Sequence, residues 1–143
     1  MNPWGIETFE NEIACDWLED LQDAEPVAFV KESLHLHIPQ KMSYVACIGV
    51  VCAAELVHCS NSKRSRPVPL ELYQWIEKHP KMDFTGFIIP AIVSMRRVLQ
   101  PQSELRIRWE DNETLGPTWL RNQNRLIGLL ESDFVDSRLP IAG

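Results

Sequence analysis

The sequence predicts an all-α fold: a single helical domain over residues 1–143, built as a bundle of six or seven helices with buried central helices near 43–59 and 84–99. Three observations predict it. Apolar residues recur at spacings of three and four in several segments, the period of a helix with one buried face. Runs that alternate with period two, hairpin dipeptides and internal repeats do not occur. The chain is 143 residues long, 45% apolar and 24% charged, which suits one ordinary core. At this size folding buries about two thirds of the unfolded surface, so neither a metal nor a disulfide is needed for stability.

The first helix follows Asn11, a good N-cap residue. At 100° per residue Ile13, Ala14, Trp17, Leu18 and Leu21 share one face, and Glu12, Asp16, Glu19 and Asp23 share the opposite one. Pro26 opens a second helix that runs through Val30 to about Leu36 and stops before Pro39. Ser43 caps a third, from Tyr44 to about Cys59, apolar nearly all round and therefore central. Its Val and Ile also suit a strand, but strands rarely reach about 15 residues. Residues 61–69 read as a polar, basic, proline-bearing loop, and 70–79 as a short helix stopped by Pro80. The long apolar segment 84–99 contains Pro90, which should kink or split it. Ser103 and Glu104 open a short helix carrying Leu105 and Trp109, and 111–117 is a loop. Trp119, Leu120, Leu126, Ile127 and Leu130 make the last helix. The tail from Asp133 reads as irregular, with Phe134 and Val135 docking on the body.

Composition excludes several classes. A net charge of −6 argues against a general nucleic-acid binder, which needs a basic footprint. The N-terminus shows neither the basic nor the apolar region of a signal peptide. The longest nearly uncharged stretch, 42–54, is closed by Glu55 and falls short of the roughly 20 residues a bilayer requires. The expected compartment is the cytoplasm, with no membrane association. Cys15, Cys47, Cys52 and Cys59 form no CxxC pair and read as small buried hydrophobes in a reducing environment. Dinucleotide, P-loop, nucleophile-elbow and HExxH signatures do not occur, so no catalytic residue and no cofactor is assigned.

The opening string carries a resemblance. Trp4-Gly5, Phe9, Asn11-Glu12, Ala14 and Asp16-Trp17-Leu18 resemble the start of domain-of-unknown-function family 4259, an uncharacterised and largely bacterial group. Its members open on a Trp-Gly pair, then a Phe, an Asn-Asp pair, a small residue and Asp-Trp-Leu. Ala54-Glu55 and Ser103-Glu104-Leu105 with Trp109 are similar as well, so the likeness reaches from Trp4 to Trp109. Glu7 stands where the family pattern has a glycine, Glu12 replaces an Asp, and the loop at 60–69 is more basic than the pattern. The resemblance implies a small helical domain without an established activity and brings no catalytic residues. Read physically, Trp4 and Phe9 anchor the entry to the first helix, and Gly5 supplies a backbone angle closed to other residues.

Charge patterning supplies the leading functional expectation. Residues 1–38 carry nine acids and one base, Lys31, while residues 39–143 carry a net +2. Either these acids pair internally with Arg96, Arg97, Arg106 or Arg108, or they form an exposed surface that steers a basic partner. The stripe Glu12, Asp16, Glu19 and Asp23 is the expected partner-binding surface of a non-enzymatic protein-binding domain, suited in bacteria to an antidote-like or adaptor role. Its plain alternative is a solvated face, with Asp16 fixing the Trp-Gly segment by accepting backbone hydrogen bonds.

A competing reading is a small enzyme or metal-binding protein with its site near Glu55, His58 and Asp16. Cys52, Glu55, His58 and Cys59 share one helix face and are zinc ligands in kind, but the sequence offers no second cluster beyond His35 and His37 to complete a site. The plain alternative pairs an ionised Glu55 with Arg96 or Arg97. The run Lys63-Arg64-Ser65-Arg66 reads as a solvated loop, and the five tryptophans as core.

Overall fold

The computed structural model describes residues 5–34, 43–62 and 66–138. Seven α-helices and a 3-10 turn account for the regular structure there, and no strand occurs among the described residues. The helices are α1 (Glu12–Asp23), α2 (Pro26–Leu34), α3 (Tyr44–Ser62), α4 (Leu70–Lys78), α5 (Ile88–Val98), α6 (Glu104–Glu110) and α7 (Gly116–Arg138).

Local chemistry sets most of the starts. Asn11 caps α1, its Oδ1 accepting from Ala14 N at 2.8 Å. Ser43 and Ser103 cap α3 and α6 through bonds from Ala46 N (3.2 Å) and Arg106 N (3.1 Å). Pro26 takes the first position of α2, where its missing N–H costs nothing. Pro90 acts differently from the expected kink. A 3-10 turn over Thr85–Phe87 comes first, and α5 begins at Ile88, which leaves Pro90 in the first turn where no intrahelical donor is needed.

α3 is the axis of the bundle and packs against α1, α2, α5, α6 and α7. It has no polar stripe, and residues 50–59 are buried without interruption. Each fully buried Val or Leu contributes roughly 1.5–3 kcal/mol, which is why an element wrapped on every side belongs at the centre. α5 is one-sided by contrast: Ile88, Ala91, Ile92, Met95 and Val98 face inward, while Ile89 and Val93 remain exposed. Side-chain bonds tie neighbours together, Trp17 Nε1 donating to Ser33 Oγ (3.0 Å) and Ser94 Oγ to Leu34 O (2.9 Å). Trp17, Trp75, Trp109 and Trp119 are all buried, the last two stacked with ring centroids 5.5 Å apart. Gly116 makes that stack possible, because a Cβ there would overlap the Trp109 carbonyl oxygen.

Two boundaries differ from the sequence reading. The last helix does not fray at Asp133 but continues to Arg138, since Asp133 is itself bonded into the interior. Phe134 packs partly buried against the core, whereas Val135 is exposed. α3 runs past Glu55 to Ser62, 19 residues in all, and is long and apolar enough to cross a membrane by length and composition; two thirds of that window is buried inside the bundle. Gly5 has an ordinary backbone angle; the space beside it is filled by the Glu10 carboxylate. Trp4, His35 and His37 lie outside the described residues.

Candidate functional site

α1 positions the acidic stripe. Its apolar face sends Ala14, Trp17, Leu18 and Leu21 into the core, and the opposite face leaves Glu12, Asp16, Glu19 and Asp23 exposed, with Asp20 exposed beside them. The ion pairs formed among the described residues are His58–Asp133, Arg66–Glu55, Arg96–Glu131 and Arg106–Glu110, and none draws on an acid of α1. Arg108 lies over the Tyr44 ring instead, 4.2 Å from its centroid. Among the described residues Asn11 ties the N-terminal segment to α1, its Nδ2 donating to Thr8 O at 3.1 Å, and Trp4 of the Trp-Gly pair lies outside them.

Cys15 reports the field of this surface. Burial pushes its thiol pKa up first, and the carboxylates of Asp16, Glu71, Glu19 and Glu12 raise it further. Glu71 is exposed on α4, so the acidic surface extends from α1 onto a second helix. No periodicity in the sequence links Glu71 to α1; only the packing of α4 against α1 does.

The second cluster lies inside. The Glu55 carboxylate accepts from Thr8 Oγ1 (2.8 Å), from Arg66 Nε at both oxygens (3.0 and 2.9 Å) and from Arg66 Nη2 (2.7 Å). Arg66 Nη1 reaches Asn122 O at 3.5 Å, and Tyr73 Oη donates to Arg66 O at 3.2 Å. One turn along α3, His58 Nδ1 donates to Asp133 Oδ2 at 2.6 Å, and Ser62 Oγ donates to Asp133 Oδ1 at 2.6 Å. Glu55 and His58 are each 1% exposed, Arg66 6% and Asp133 7%, so all four are buried.

These contacts correct two expectations. Glu55 pairs with Arg66, not with Arg96 or Arg97. Arg66 is accordingly no part of a solvated loop: a carboxylate forced inward by an apolar helix requires a partner able to follow it, and the loop after α3 is the nearest source. Of the metal-ligating side chains on α3, Glu55 turns to Arg66, His58 turns to Asp133, and Cys52 and Cys59 are buried. No group of three or more His, Cys, Asp or Glu suited to a metal occurs among the described residues. Asp16 is exposed on α1, whereas Glu55 and His58 are buried on α3. The Cys52 thiol pKa is raised well above its usual value, chiefly by burial, which is the signature of an inert core cysteine.

Clefts of about 360 and 370 Å³ open among the described residues. The first lies between the end of α3 and α4, beside Cys59, Trp75 and His79. The second lies between α6 and α7 against Trp109 and Trp119.

Fold and site together define an all-α bundle threaded by one apolar helix, its interior charges matched in pairs and its first helix presenting carboxylates to solvent. The chain belongs to the family described as Domain of unknown function (DUF4259), whose model matches residues 2–122. No curated protein and no solved structure matches it.

Proposed function

We propose that this chain is a non-enzymatic, cytoplasmic domain that binds another protein through the acidic face of α1, the partner's contact surface being basic. The observation that carries this reading is the exposure of Glu12, Asp16, Glu19 and Asp23 outside the described ion pairs. Like charges three or four residues apart on a helix oppose its formation by about 0.2–0.5 kcal/mol per pair. Stability therefore gives no reason to collect them on one face, whereas a field that steers a basic partner does. Glu71 broadens that field. The sealing of Glu55, His58, Arg66 and Asp133 supports a structural role for the groups that otherwise resemble catalytic machinery. Cys15, Cys47, Cys52 and Cys59 form no disulfide with one another, which suits a reducing compartment.

The experiment compares the wild-type chain with a variant carrying Glu12→Lys, Asp16→Lys, Glu19→Lys and Asp23→Lys, both recovered from the same cells. The expected result is a protein of net positive charge that is retained by the wild type, released as salt rises, and absent from the folded variant. Retention of the same proteins by both chains overturns the reading.

A further inference from the structure

We infer that the seam between the N-terminal segment and α7 contains a binding site for a single water molecule, with the carboxamide of Gln123 as its reader. Gln123 lies one turn beyond Trp119 on α7 and is 1% exposed. Neither its Nε2 nor its Oε1 meets a hydrogen-bond partner among the described residues. A carboxamide offers two donors and an oxygen with two lone pairs, and buried groups of this kind are bonded to protein or to ordered water in nearly every native structure.

The side chain lines a partly open cavity of about 20 Å³, walled by Glu7, Thr8 and Asn11 of the N-terminal segment and by apolar side chains that include Ile48, Val51 and Trp119. Volume decides the occupant. About 10–15 Å³ measured this way admits one water, so the cavity takes one and excludes a second carboxamide or an aromatic base. The lining decides that the site is wet, because cavities that stay dry are apolar throughout. One water satisfies both ends of the amide at once, donating to Oε1 and accepting from the Nε2 hydrogen on the same side. Its second hydrogen is then directed at the polar groups of the N-terminal segment.

The site matters because the direct tie across this seam is weak. Asn122 Nδ2 lies 3.5 Å from Glu7 Oε2, beyond the usual range for such a bond. A bridging water is nearly as good enthalpically as a direct bond. It joins the segment that leads into α1 to α7.

A high-resolution crystal structure of the full chain tests this, together with amide hydrogen exchange on the wild type and on Gln123→Met. The expected structure has one ordered water about 3 Å from the Gln123 amide and from a polar group of residues 5–11. The folded variant lacks that water and exchanges the amides of residues 5–11 several-fold faster, with those of α3 unchanged. A cavity without density, density larger than one atom, a direct protein bond to both amide atoms, or unaltered exchange in the variant overturns it. If the variant does not fold, the wild-type density alone decides.

Discussion

Arg66 grips Glu55 with two nitrogens, Nε at 3.0 and 2.9 Å from the two carboxylate oxygens and Nη2 at 2.7 Å from one of them, inside a shell that leaves the side chains 4% and 2% exposed. Thr8 adds a further donor, so the pair fastens the N-terminal segment and the loop after α3 to the central helix. Removing one member of a buried pair strands the other, at a cost of about 3–5 kcal/mol, while replacing both with apolar groups of similar volume is often nearly neutral. Denaturant melts should therefore show Arg66→Met and Glu55→Leu each strongly destabilised, and the double variant recovering most of the loss. A double variant as unstable as the two losses added together contradicts the pairing.

The family match ends at residue 122, yet α7 continues to Arg138. Its later turns bring Leu126 and Leu130 fully into the core, and Asp133 to His58 and Ser62. A chain ended after Asn124 should not fold cooperatively, and Leu130→Ala should cost about 2–5 kcal/mol. Circular dichroism melts check both. A truncated chain that melts within a few degrees of the full one would show that the second half of α7 is dispensable.

Cys15, Cys47 and Cys52 titrate late. Burial raises the Cys52 thiol far above its ordinary range and raises Cys47 against the lowering effect of hydrogen bonds from Leu105 and Ser103. Because the unfolded thiols ionise first, these groups favour the folded state below about pH 8.5, and that contribution is lost as pH rises further. Labelling with an aromatic disulfide at about pH 8 should modify Cys15 slowly and leave Cys47 and Cys52 untouched until the chain is unfolded. Neutralising Glu12, Asp16 and Glu19 should speed Cys15, since their charges hold its proton on. Rapid reaction of Cys52 in the native chain contradicts the packing of α3.

Asp83 works in the opposite sense. Its Oδ1 accepts from Thr85 N (2.9 Å) and Thr85 Oγ1 (2.8 Å), and these bonds hold its carboxyl below the usual aspartate range. Stability from this turn is complete above the unfolded aspartate pKa, about 3.9, and is lost as pH falls through the lower folded value. Asp83→Ala should lower the melting temperature at neutral pH, and the gap should close as pH falls below about 4. A gap that does not change with pH contradicts the role of the ionised carboxylate.

What was legible in the sequence was local. Asn11, Pro26, Ser43 and Ser103 each act within one helical turn, and the two faces of α1 follow from spacing alone. The partner of Glu55 was not legible, because charge pairing names every arginine equally until the loop after α3 is folded back. Asp133 reads as the start of an irregular tail because its acceptor role is set by His58, 75 residues earlier in the chain. Glu71 joins the acidic surface only through the packing of α4 on α1. Gln123 shows no sign in the sequence of being buried with its amide unpaired.

The most direct measurement of the central claim is the thermal melt of the chain carrying Glu12→Gln, Asp16→Asn, Glu19→Gln and Asp23→Asn, set beside the wild type at low and high salt. If these carboxylates face solvent for a partner's sake, neutralising them relieves repulsion: the variant melts at the same temperature or higher, and salt narrows the difference. A variant that melts many degrees lower in both conditions would show the acids holding the fold together, and the binding surface would have to be sought elsewhere.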